Sequence, residues 1–144
     1  MTDAFFRAGV GAVILDDGGR ILVMRRRNVQ DQAWQLPQGG IGFDETPEQA
    51  LWRELGEEAG LAVADAEIIR ASADWTLYEV PAQWRNAKVG WGQVQRWFLC
   101  RLRAGRDRVR PDGVEFDAVR WATPDELLAW AAPFRVPVYR RVLH

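Results

Sequence analysis

The stretch Gly39–Leu61, GGIGFDETPEQALWRELGEEAGL, decides how this chain is read. Thr46 is a good N-cap, Pro47 fits the first helical position, and Gln49 completes a capping box. The pattern predicts a helix to about Ala59, with Gly60 as the C-terminal stop. With Glu54 set at zero, Glu57 falls near roughly 300° and Glu58 near roughly 40°, so three carboxylates share one face. Leu51, Trp52, Leu55 and Ala59 form a separate apolar stripe, between roughly 60° and 160°. One side of the helix is therefore anchored while another presents acids. Glu54 and Glu58 are like charges at i,i+4, a pairing that costs a few tenths of a kcal/mol, about 0.2–0.5. Arg53, at i,i−4 from Glu57, offsets part of it. Two readings follow: a solvated acidic face, or an oxygen-only site for a hard divalent cation.

Strand and turn signals surround this helix. Ala8–Leu15 and Arg20–Arg25 read as strands joined by a hairpin turn at Asp16-Asp17-Gly18-Gly19. A loop bearing glycine and proline, Trp34–Gly42, leads into the helix. Further strands are expected at Ala66–Ser72, Trp75–Val80, Gln93–Leu102 and Val114–Trp121. A second helix should begin after Thr123, where Pro124 and Glu126 repeat the capping box, and a third short one in the last ten residues. This order implies an α/β sandwich with a mixed sheet.

Composition bounds the chemistry. The 144 residues are 48% apolar and 27% charged, so we expect a single domain over residues 1–144. No apolar run reaches the roughly 18 residues of a membrane span. Met1–Arg7 lacks the layout of a signal peptide, so a cytoplasmic protein is expected. Cys100 and His144 are each the only residue of their type. They exclude an intramolecular disulfide, a histidine triad and a zinc site, leaving carboxylates, arginines and aromatics. Net charge is −1, and Lys88 is the only lysine. That balance argues against an extended nucleic-acid footprint but not against recognition of a nucleic-acid end.

Gly39, Glu45, Arg53, Glu54, Leu55, Glu57, Glu58, Gly60 and Leu61 match every fixed position of the signature G-x5-E-x7-R-E-U-x-E-E-x-G-U, where U is a bulky aliphatic. On these residues the chain resembles the Nudix hydrolases. The flanks extend the likeness: Trp34-Gln35-Leu36-Pro37-Gln38-Gly39-Gly40, Trp75 with Tyr78, Gly92–Phe98, Glu115-Phe116-Asp117 before Arg120-Trp121, and Val138–Val142. They resemble the bacterial RNA pyrophosphohydrolases and the plant-type dinucleoside polyphosphate (diadenosine tetraphosphate) hydrolases. Two departures are Phe6, where the group has tyrosine, and Ala8-Gly9, where it has Pro-Asn or Arg-Asn.

The resemblance implies the Nudix fold, an α/β/α sandwich with a mixed sheet in which the signature forms a loop-helix-loop. It implies metal-dependent hydrolysis of a phosphoanhydride bond by water attack at phosphorus. The substrate would be a nucleotide polyphosphate or a 5′-phosphorylated RNA end. Magnesium, or manganese, would be held chiefly by Glu54, Glu57 and Glu58, with Gly39 and Glu115 contributing. Glu54, Glu57 and Glu115 are the catalytic candidates, and the general base is Glu54 or Glu115, with Glu54 favoured. Candidates for substrate contact are Arg7, Arg26, Arg27, Trp34, Gln38, Tyr78, Lys88, Arg96, Phe134 and Arg135, the last pair matching positions that hold the first base. Two other activities stay open: a generalist nucleoside triphosphate or nucleotide-sugar pyrophosphatase, and a non-catalytic nucleotide sensor. A monomer and a homodimer are both compatible with the sequence.

Overall fold

A computed structural model describes residues 4–31 and 33–144. In chain order the elements are β1 (Phe6–Leu15), β2 (Ile21–Arg26), β3 (Trp34–Gln35), β4 (Gln38–Gly40), α1 (Pro47–Ala59), β5 (Ala66–Ala71), β6 (Thr76–Glu79), β7 (Gly92–Leu102), β8 (Phe116–Ala122), α2 (Pro124–Trp130) and α3 (Val136–Val142). The strands join one mixed sheet. β1 runs parallel to β7 from Phe6↔Gly92 to Leu15↔Arg101, β5 and β6 lie end to end along the far edge of β7, and β8 pairs with β2. No helix is long and apolar enough to cross a membrane among the described residues.

Strand side chains alternate between the two faces, and here both faces are buried. Val10, Ala12 and Ile14 of β1, Leu22 and Met24 of β2, and Phe98, Cys100 and Leu102 of β7 meet Leu51, Leu55 and Ala59 of α1 in one core. The intervening Val13, Ile21, Val23 and Trp97 meet Leu127 of α2 and Val138 and Tyr139 of α3 in a second. The result is three layers, helix–sheet–helices.

The capping boxes at Thr46 and Thr123 form as the sequence predicts, and Gly60 ends α1 at φ 70°. The hairpin differs from expectation. β1 and β2 pair only at Leu15↔Ile21, because β4 takes the edge of β1 from Gly9 to Gly11. β2 peels away to β3 and β8 instead, which opens one end of the sheet. β3 and β4 were not expected as strands.

Candidate active site

The opening left by β1, β2 and β4 is a cleft of about 930 Å³ whose lining includes the acids of α1. Those acids are not a uniformly solvated face. Glu58 is 4% exposed, and the Glu54 and Glu57 side chains are 13% and 60% exposed. Burying a carboxylate is costly without a partner, yet Oε2 of Glu58 has none. Burial first, and then the neighbouring Glu54 and Glu115, push the Glu58 carboxyl up to about 9. Burial also raises Glu54, against the lowering effect of Arg53.

Arg53 ties the signature loop to its helix. Its Nε and Nη2 donate to Glu45 at 2.6 and 2.8 Å, Nη2 also to the Gly40 carbonyl at 2.7 Å, and Nη1 to Glu54 at 2.7 Å and Glu57 at 3.3 Å. Glu45 in turn accepts from the Gly42 N–H at 2.6 Å. The arginine brings its carboxyl down to about 2. Two side chains lie directly over glycines of β4: a Cβ on Gly39 would fall inside the Glu54 carboxylate, and one on Gly40 inside the Arg7 guanidinium, so either would displace a cleft side chain.

Glu115 precedes β8 on a turn that hydrogen bonds hold in place. Asp112 Oδ1 accepts from the N–H groups of Val114, Glu115 and Phe116, and the Arg27 N–H donates to the Glu115 carbonyl at 2.7 Å. The turn is thereby tied to the end of β2.

Several expected residues line the cleft together: Arg7, Arg26, Gln38, Gly39, Glu54, Glu57, Glu58, Tyr78, Lys88, Glu115, Phe134 and Arg135. Gln38 donates from Nε2 to the Tyr78 hydroxyl at 3.2 Å. Three others lie outside this lining. Trp34 packs on Trp130 at 6.2 Å and under Arg120 at 4.8 Å, because Gln35, its neighbour in β3, takes the face toward the cleft. Arg96 projects with Phe98 to the α1 face of β7 and donates to the Ser72 carbonyl, whereas Gln93 reaches the cleft. Arg27 donates to the Gly113 carbonyl at 2.6 Å and supports the Glu115 turn.

Sequence reasoning missed Gln35, Gln93 and Trp84 in the lining. For Gln93, strand alternation was the available signal; Gln35 lies in a stretch that reads as loop, where alternation offers none. Trp84 ends a single three-residue helical turn, too short for periodicity to reveal.

Among the described residues, no three acidic, histidine or cysteine side chains are already gathered in metal-holding geometry. Arg53 occupies Glu54 and Glu57 instead. The donor set nevertheless fits a hard cation: oxygen ligands only, one of them buried and without a partner.

The NUDIX domain model matches residues 5–142. The chain belongs to the Nudix family. It is 44% identical to the RNA pyrophosphohydrolases of Pseudomonas putida and Stutzerimonas stutzeri, over 96% of this chain and 89% of each relative. Among solved structures, an Ap4A hydrolase complex from C. elegans superposes with a TM-score of 0.72 at 19% identity, covering 95% of both chains. The E. coli dihydroneopterin triphosphate pyrophosphohydrolase gives 0.73 at 22%, covering 96% of this chain and 97% of that one. At those identities the structures establish the Nudix fold alone. Nudix hydrolases in general use divalent metal ions, which agrees with the donor set described above.

Proposed function

We propose that this Nudix chain hydrolyses a phosphoanhydride bond in a nucleotide-capped polyphosphate, either a 5′-phosphorylated RNA end or a dinucleoside polyphosphate. The observation that carries the reading is the unpartnered Glu58 Oε2, buried beside Glu54 and near Glu115 in a cleft whose lining also includes Arg7, Arg26, Arg135 and Lys88. The 44% identity to RNA pyrophosphohydrolases supports the RNA branch.

Magnesium or manganese would be held by Glu54, Glu57, Glu58 and Glu115 with the Gly39 carbonyl. When bound, such an ion supplies charge neutralisation at phosphate and makes water a better nucleophile. The remaining work falls to the chain. Glu54 stands in the cleft with its carboxylate oriented by Arg53 and its pKa raised by burial, so it is the base we favour. Arg7, Arg26, Lys88 and Arg135 supply positive charge for phosphate oxygens. The Tyr78 hydroxyl accepts from Gln38, which leaves its proton free to donate to substrate.

Turnover of 5′-triphosphorylated RNA, diadenosine tetraphosphate and ADP-ribose in magnesium tests this reading. One of the first two should dominate, chelator should abolish turnover, and heavy-oxygen water should label a phosphate product. Preference for ADP-ribose would overturn the substrate class, and full activity in excess chelator the metal dependence.

A further inference from the structure

The sequence likeness points to Phe134 as the ring for a base, but its surroundings disagree. Phe134 packs against the second core, Tyr78 approaches it at 5.6 Å, Trp84 meets it edge-on at 5.3 Å and 87°, and the Arg135 guanidinium covers it at 4.6 Å. The ring lines the cleft but is half-buried among these neighbours. Trp84 is different: it lines the same cleft and is 49% exposed.

A solitary exposed tryptophan needs no explanation by itself. This one has a built support. It closes the short helical turn Ala82–Trp84, with its N–H bonded to the Pro81 carbonyl at 2.9 Å. The next residue, Arg85, donates to the Val80 carbonyl at 3.1 Å, approaches Glu79 at 3.5 Å and stacks over Trp91 at 4.3 Å. The turn is thereby clamped to the end of β6. Asn86 then caps the N–H groups of Lys88 and Val89, which places a cation on the same rim. A clamped aromatic plane beside a cationic group suits a nucleobase joined to phosphates.

We propose that Trp84, rather than Phe134, is the ring on which a substrate base stacks, while Phe134 braces it from the side. The proposal rests on the nucleotide-polyphosphate reading above.

The test uses Trp84→Ala, Trp84→Phe and Phe134→Ala. KM and kcat are measured on diadenosine tetraphosphate and a 5′-triphosphorylated dinucleotide. Inorganic tripolyphosphate, which has no base, serves as a competitive inhibitor. Trp84→Ala should raise KM about 5- to 150-fold, the scale of one stacked base, with kcat within about twofold and an unchanged inhibition constant for tripolyphosphate. Trp84→Phe should recover most of the loss. Phe134→Ala should lower the melting temperature more, and raise KM less, than Trp84→Ala. An active wild type with unchanged KM in Trp84→Ala overturns the stacking role alone. So does an equal rise in KM and in the tripolyphosphate constant, which would mean a distorted cleft. A wild type that turns over neither nucleotide removes the hydrolase reading, and the stacking role with it.

Discussion

Two cavities of the molecule are built on different terms. The smaller, about 470 Å³, has an apolar floor that includes Val13, Leu15, Ile21 and Leu99 and is closed by the end of α3. Its inner polar groups are satisfied: Thr76 Oγ1 accepts from the Trp97 indole at 2.9 Å, and Ser72 Oγ donates to the Asp74 carbonyl and accepts from the Trp97 N–H. The larger cleft is the reverse. Among the described residues, the buried side-chain atoms without a partner are Gln35 Oε1, Gln38 Oε1, Glu58 Oε2, Gln95 Oε1 and Arg135 Nε. Four of these residues line the cleft, and the fifth, Gln95, bonds to the cleft residue Gln93. Because unpaired buried polar groups are costly, their concentration in one place marks where a ligand completes the structure. Apolar enclosure alone marks only imperfect packing.

Substitutions should separate the cavities sharply. Glu54→Gln, Glu57→Gln and Glu58→Gln should each lower kcat by at least about a hundredfold, the scale of losing an acid–base group or ligand, without loss of thermal stability. Near-normal turnover in two of the three would erase the distinction. Next in size is the response to magnesium. At about a hundred times its dissociation constant, binding should add about 2.7 kcal/mol, read as a rise in melting temperature of several degrees that Glu58→Gln reduces.

A smaller effect concerns acid. The Glu45 carboxyl has a folded value of about 2 against 4.5 unfolded. A depressed carboxylate contributes stability that is complete above its unfolded value and lost as pH falls through the folded one. Glu45→Gln should therefore flatten the decline in melting temperature between about pH 4.5 and 2; an unchanged acid limb would show that the loop anchor carries no such linkage. The smallest effect is expected at Arg70, on the rim of the apolar cavity, where it has no ion pair among the described residues. Arg70→Ala should leave kcat and KM within about twofold, the range of ordinary surface changes. A large loss there would tie the second cavity to the chemistry.

Much of this was legible from residues alone, for a physical reason. Local signals suffice where neighbours in sequence decide the outcome. The capping boxes at Thr46 and Thr123, the stop at Gly60 and the acidic face of α1 are of that kind. The partnership of β1 with β7 is not, since alternation says that a strand is half-buried and nothing about which strand lies beside it. The same limit explains the misplaced side chains. Arg96 belongs to an expected strand but points to its other face, an odd three residues from the cleft residue Gln93, and Trp34, in a stretch that reads as loop, lies on β3 one residue from the cleft residue Gln35. Burial of Glu58 was hidden for another reason: a helical wheel places three acids on one side but does not show that the sheet covers one of them.

The parallel pairing of β1 with β7 also governs how the protein comes into being. Phe6 cannot find Gly92, nor Leu15 find Arg101, until some 86 further residues have left the ribosome in each case. β1 is an interior strand and carries Arg7 to the cleft, so neither sheet nor cleft can be completed early. Contacts this distant in sequence slow folding, because loop closure must precede any reward from burial. During synthesis the apolar run AGVGAVIL of the nascent chain therefore waits without its partner, an exposed strand of the kind that chaperones cover.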